Sequence, residues 1–212
     1  DPQYQTMGSA PLPVHSADAS NQPLQTPWTF WFDRMTPGAS YESSLAELGS
    51  LSTARSFWRF YCNLARPSQL QPGDNYHLFR TPLKPAQEAL PEGGCLMLRL
   101  KGAGSPAFAT EIDRLWEALL LALIGEALGV GATTSQRSDE LVVGGGLSVR
   151  SKDTVLTIWC CDDEQRAIGA VAQRLEAVLG LPRSIPIVWK STRRALRKEQ
   201  HASATTAARS EA

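Results

Sequence analysis

The residues with which this chain could do covalent or metal chemistry are few and badly placed for it. Its three histidines, His15, His77 and His201, are scattered, and no serine, threonine or cysteine nucleophile stands beside a base in a recognisable pattern. The four cysteines, Cys62, Cys95, Cys160 and Cys161, form no CxxC pair and have no neighbouring histidine cluster, so a zinc site is not expected and reduced thiols are. Gly144, Gly145 and Gly146 lie inside a strand-like run instead of opening a helix, and no GxGxxG or phosphate-loop pattern occurs elsewhere. These absences point away from an enzyme, a metal or an organic cofactor and toward non-covalent recognition.

The charge balance limits what could be recognised. Among 212 residues, 21 basic side chains offset 21 acidic ones, so the chain has no general attraction for a phosphate backbone. A nucleic-acid ligand would need a local basic patch and a specific pocket. Hydrophobic residues make up 42% and charged residues 20%, the balance of a globular domain able to bury a core unaided. The opening residues Asp1, Gln3 and Gln5 do not read as a signal peptide, and the apolar run Ala118 to Ile124 is far shorter than a bilayer span. A soluble intracellular protein is the expectation.

The elements that must position any site can be read from periodicity. Residues 1–25 are rich in Pro, Ser, Gln and Ala and read as a flexible tail, as do residues 199–212, leaving one domain over 26–198. Ile112, Leu115, Trp116, Leu119, Leu120, Leu123, Ile124 and Ala127 make a stripe on one face of a helix. A second helix runs from about Glu164 to Leu179, with Asp162 or Asp163 as cap and Gly180 and Pro182 as stop signals. A third, from about Thr53 to Leu64, takes Ser52 or Thr53 as cap and carries more aromatic surface than one core face needs: Phe57, Trp58, Phe60 and Tyr61. Strand-like runs are Trp28–Asp33, Tyr76–Arg80, Cys95–Lys101, Leu141–Arg150, Val155–Cys160 and Ile185–Trp189, with Ser151–Thr154 as a hairpin turn. The order gives an α+β domain: an antiparallel sheet with its helices segregated to one face.

Six collinear segments, QPLQTPWTFWFD, SFWRFYCNL, QPGDNYHLF, DRLWEALLLALIGE, VRSKDTVLTIW and LGLPRSIPIVWKS, resemble the translation initiation factor 4E family over about residues 22 to 198. The resemblance implies a cupped, eight-stranded antiparallel sheet backed by three long helices. The concave side would hold the 7-methylguanosine cap of messenger RNA. Such a ligand needs π-faces for its cationic purine, an acceptor for its Watson–Crick edge and bases for its phosphates. In the family two tryptophans sandwich the purine, and the first aromatic falls here at Tyr41. The second aligns with Gln87, which has no ring, while the neighbouring carboxylate is retained as Glu88. Arg150 and Lys152 match the family's first basic pair, and its next lysine becomes Val155. Lys190, Arg193, Arg194, Arg197 and Lys198 form a basic stretch, in which Arg193 and Lys198 are candidates to compensate. Trp159 matches a tryptophan that touches the N7-methyl group in the family. Taken alone, Tyr41 would read as a loop aromatic, Glu88 as a solvated charge, the basic stretch as a solvated face and Trp159 equally as core.

The same resemblance explains the aromatic excess of the third helix. Trp58 matches a tryptophan that the family presents on its convex side to a short amphipathic helix of scaffold factor 4G or of competing repressors. Pro23, Leu24, Ala54, Leu121 and Gly125 would complete that groove. Leu121 lies off its helix's main stripe, as a residue serving a second surface should. An apolar position of the family becomes Glu117. The implied protein is a monomeric, cytoplasmic and also nuclear cap binder without membrane contact. The alternative is an interaction module of the same fold with weak cap binding, acting as a repressor.

Overall fold

The computed structural model describes residues 21–35, 38, 40–102, 105–129, 141–181 and 185–193. Seven strands appear among them: β1 (Pro23–Arg34), β2 (Ala46–Thr53), β3 (Asp74–Arg80), β4 (Gly94–Lys101), β5 (Val142–Val149), β6 (Asp153–Cys160) and β7 (Ile187–Ser191). They form one antiparallel sheet in the order β2-β1-β3-β5-β6-β4-β7. The helices are α1 (Tyr41–Ser44), α2 (Ala54–Tyr61), α3 (Pro106–Ile124) and α4 (Gln165–Leu179). The fold class is the one expected, with seven strands among the described residues against eight.

Alternation along each strand sorts side chains onto two faces. Trp28, Phe30, Tyr76, Leu78, Leu96, Leu98, Leu147, Leu156 and Ile158 join Phe57, Leu115, Trp116, Leu119 and Leu123 in the main core beneath the helices. Residues between them face the other way, and their register lines them up across the sheet. One row runs Glu47, Trp31, His77, Gly146, Thr157, Met97, Val188. The next runs Thr29, Phe79, Gly144, Trp159, Cys95, Lys190. A smaller apolar cluster of Trp31, Phe79, Leu90 and Val143, with Trp159 packed against it, fills part of this second face.

The glycine run in β5 has a steric cause. A Cβ at Gly144 would lie 2.7 Å from the Phe79 ring, one at Gly145 would lie 2.7 Å from Leu123 of α3, and one at Gly146 would lie 2.8 Å from the Thr157 hydroxyl. The strand is therefore pressed from both sides, and glycine lets α3 and the aromatic row approach it together.

The helix boundaries differ from their sequence reading in instructive ways. α2 begins after Thr53, whose hydroxyl accepts from Ser56 N–H in a capping box, and it ends at Tyr61 instead of Leu64. α3 starts several residues ahead of the apolar stripe because Ser105 caps it and Pro106 occupies its first turn. Ala127, read as part of its stripe, lies beyond its end. At α4 neither aspartate is the N-cap: Glu164 holds that position and Asp162 accepts from the Glu164 N–H at 3.0 Å. Gly180 does end that helix, at φ 63°. β2 was not read at all, since Ala46–Thr53 mixes small and polar residues and exposes most of one face. β1 reaches back to Pro23, so residues 23–25 are strand and not tail. The β5–β6 turn is shorter than expected, because Asp153 and Thr154 already pair with Lys101 and Leu100. β7 is displaced by two residues from its reading, to Ile187–Ser191.

One ion pair anchors the end of α3 to the sheet. The Arg80 guanidinium stacks 4.7 Å from the Trp28 ring centroid and pairs with both carboxylate oxygens of Glu126. Glu126 stands at φ 55°, the left-handed conformation that ends α3, where Ala127 N–H returns to the Ala122 carbonyl at 2.9 Å. Both side chains are largely shielded from water, so removing either leaves an uncompensated charge. Glu126→Ala is expected to lower unfolding free energy by about 3–5 kcal/mol in a denaturant titration, and the paired change Arg80→Met with Glu126→Leu to recover most of it.

Candidate functional site

The face opposite the helices has an aromatic floor, and a loop segment is tied across it. After β1 the chain turns into α1, whose N-cap Ser40 accepts from Ser43 N–H at 3.2 Å and so sets Tyr41 as the first helical residue. The Tyr41 hydroxyl donates to the Pro85 carbonyl at 2.5 Å. Pro85 belongs to the β3–β4 connection, which two residues later makes the 3₁₀ turn Gln87–Ala89. Tyr41 is thus fastened to the loop that carries Gln87 and Glu88, while 43% of it stays exposed. Gln87 and Glu88 are exposed.

The electrostatics agree with this placement. Burial, followed by the negative charges of Asp33 and Glu88, holds the Tyr41 phenol well above its ordinary range. Two carboxylates therefore act on the Tyr41 hydroxyl. Asp33 is itself buried on the open face, accepting from Asn75 Nδ2 at 2.8 Å and bonded to His77 Nε2 at 2.7 Å. This Asp33–His77 pair was not anticipated. Asp33 alternates with Trp31 and Thr29 along β1, and that period of two was the signal that could have placed it on this face.

Trp159 stands on the open face and not in the main core, with its ring centroid 5.9 Å from that of Phe79. The indole N–H groups of Trp31 and Trp159 find no partner among the described residues. Cys95 lies beside Trp159 in register, and burial, opposed by Lys190, pushes its thiol up to about 11.

The basic candidates divide. Arg150 and Lys152 are exposed at the β5–β6 turn, where Arg150 N–H donates to the Asp153 carbonyl at 2.9 Å. That turn lies at the end of the sheet where Gly73 N–H meets the Val149 carbonyl and Arg34 pairs with Asp74, whereas the Gln87–Ala89 turn hangs from the opposite end. Tyr41 is tied to the Gln87–Ala89 side of this arrangement by its bond to Pro85. Arg193, a candidate phosphate contact, is ion-paired with Glu92 on the protein surface. Lys198 falls outside the described residues, as do Arg194 and Arg197. Arg99, not singled out beforehand, lies opposite Val155 in register and half exposed, paired with Asp153 at 2.8 Å. It puts a guanidinium beside the position where Val155 provides no charge.

On the helix side, Ala54 N–H donates to the Gln22 carbonyl at 2.9 Å, bringing the start of α2 against Pro23 and Leu24. Trp58 is 43% exposed, wedged edge-on between Phe57 and Tyr61, and Leu121 is 38% exposed on α3. Gly125 N–H bonds back to the Leu121 carbonyl at 2.9 Å. The structure places these residues on the helical side, away from Tyr41 and Glu88.

The described residues thus form a single sheet with helices on one face and an aromatic floor on the other. The family model for Eukaryotic initiation factor 4E matches residues 23–207, and the chain belongs to that family. Among its relatives, the eukaryotic translation initiation factor NCBP of Oryza sativa subsp. japonica is 33% identical over 178 residues, covering 81% of this chain and 72% of the relative. The Ascaris suum eIF4E-3 structure, solved with m2,2,7G cap, superposes with TM-score 0.72 at 26% identity, covering 81% of this chain and 91% of that one. The C. elegans eIF4E-3 complex with the 4E-binding protein Mextli has TM-score 0.74 at 22% identity, with coverage of 82% and 96%.

The tyrosines give this geometry a pH signature. Tyr61 and Tyr76 are also raised, each first by burial, then by Glu117 and Asp74 respectively. Unfolded phenols ionise near pH 10 and the native ones above it. The stability they contribute is therefore complete below about pH 10 and lost as pH rises from there. Chemical denaturation between pH 9 and 12 should show that fall, and Tyr41→Phe should make it shallower.

Proposed function

We propose that this protein binds the 7-methylguanosine cap of messenger RNA on the open face of its sheet and takes part in translation initiation or its regulation. The observation that carries this reading is the half-exposed Tyr41 ring on the open-face side, tied by its hydroxyl to Pro85 in the loop that bears Glu88. A 7-methylated purine is cationic, and an aromatic face with a nearby carboxylate favours it over an unmethylated base. Glu88 accepts the N1–H and N2–H hydrogens of the base, Trp159 borders the methyl group, and Arg150, Lys152 and Arg99 take the phosphates, the arginines as planar forks and the lysine as a mobile charge. Catalysis has no place in this scheme. No described helix is long and apolar enough to cross a membrane. Action on messenger RNA ends fits a cytoplasmic protein. The binding domain begins with β1 at Pro23 and runs to about residue 198, with 1–22 and 199–212 as its tails.

Gln87 favours a second reading, in which the protein is chiefly an interaction module tethered through Trp58 and binds cap weakly. Tryptophan fluorescence titration separates the two. The first expects 7-methyl-GTP to bind at least about tenfold tighter than GTP, Glu88→Ala to remove the difference, and Gln87→Trp to tighten binding by about tenfold through a second stacked ring. Equal affinity for the two nucleotides, or none for either, removes the cap from the account.

A further inference from the structure

Glu117 occupies an unusual position on the helical side. The Tyr61 hydroxyl donates to its Oε2 at 2.9 Å, bridging α2 to α3. The carboxylate borders two hollows at once: one of about 280 Å³ lined by Trp58, Tyr61, Leu64 and Trp116, and one of about 570 Å³ lined by Thr110, Asp113, Ala118 and Leu121. Any partner spanning both must pass directly over it. Trp58 and Leu121, the two large apolar side chains left exposed on this side of α2 and α3, stand on either flank.

The other charges around it are already committed or stand apart. Asp113 accepts from Ser68 N–H and from the Ser68 hydroxyl, both at 2.8 Å. Arg114 is taken by Glu111 at 2.8 Å and by the Leu179 carbonyl at 3.0 Å. Arg66 borders both hollows and its charge is felt at the Tyr61 hydroxyl. Among the described residues Glu117 has one hydrogen-bond donor and no cation, although it is half-buried. A carboxylate accepts up to about four hydrogen bonds, so most of its capacity is unused. Burying it under an apolar helix face carries a desolvation penalty that a cation placed there would offset.

We propose that the helical side docks an amphipathic helix carrying a lysine or arginine within its apolar face, one turn from the residues that pack on Trp58 and Leu121, and that Glu117 selects for this cation. The inference rests on the docking surface named above and specifies its occupant. Helical spacing supports it: Glu117 and Leu121 are four residues apart on α3, so an occupant's cation and its apolar anchor are also separated by three or four residues. Tyr61, by holding the carboxylate at 2.9 Å, keeps it pointed between the hollows.

The test uses the full-length chain and synthetic alanine-based amphipathic peptides of about 18 residues with a leucine face. A single lysine is moved through the positions next to that face, each compared with norleucine at the same place. The expected result is one lysine position that binds about threefold or more tighter than its norleucine twin. That preference should weaken with added salt and vanish in Glu117→Gln, while Trp58→Ala abolishes binding of every peptide. Glu117→Gln keeps the side chain's size and its bond from Tyr61, so loss of the preference cannot be put down to misfolding. Peptides that bind but show no lysine preference, or a preference that survives Glu117→Gln, overturn the role of Glu117 alone. Failure of every peptide to bind the unaltered protein overturns the docking surface with it.

Discussion

The two-sidedness of the antiparallel sheet is the constraint on which the rest depends. Because neighbouring residues point to opposite faces, every strand must satisfy a helix-covered core on one side and a ligand-facing surface on the other. β5 shows how tight that demand is: Leu123 presses on Gly145 from below, and Phe79 and Thr157 press on Gly144 and Gly146 from above. Any side chain there would push α3 away or displace the aromatic floor. The same alternation puts Trp31, Phe79 and Trp159 together without burying them in the main core.

The core elements were legible because their patterns are periodic. The α3 stripe, the capped start of α2 at Thr53 and the glycine stop of α4 at Gly180 are all visible in the chain itself. β2 was not, since its exposed edge position leaves Ala46, Glu47 and Gly49 with no alternation to read. α1 is a single turn fixed by the Ser40 cap, too short for periodicity to reveal. Helix ends slipped wherever a cap stood outside the apolar stripe, as Ser105 does ahead of α3.

The site was legible only in part, for a different reason. Tyr41, Glu88 and Arg150 were named by resemblance, but their partners depend on chain crossings that no local pattern encodes. The hydroxyl bond from Tyr41 to Pro85 joins residues 44 apart in sequence, and Arg193 is held by Glu92 from 101 residues away. Asp33 and His77 belong to different strands and meet only through the β1–β3 register. Arg99 was missed because its partner Asp153 had been read as turn and not strand.

With Gln87 in place of a second ring, the account asks one aromatic face and nearby carboxylates to grip a cationic purine. The most direct measurement is a crystal structure of the protein with 7-methyl-GDP. The account predicts the purine stacked on the Tyr41 ring, its Watson–Crick edge on Glu88 and its phosphates directed to the Arg150 end of the sheet. Nucleotide bound on the helical side, or on the open face with Tyr41 and Glu88 untouched, would contradict it.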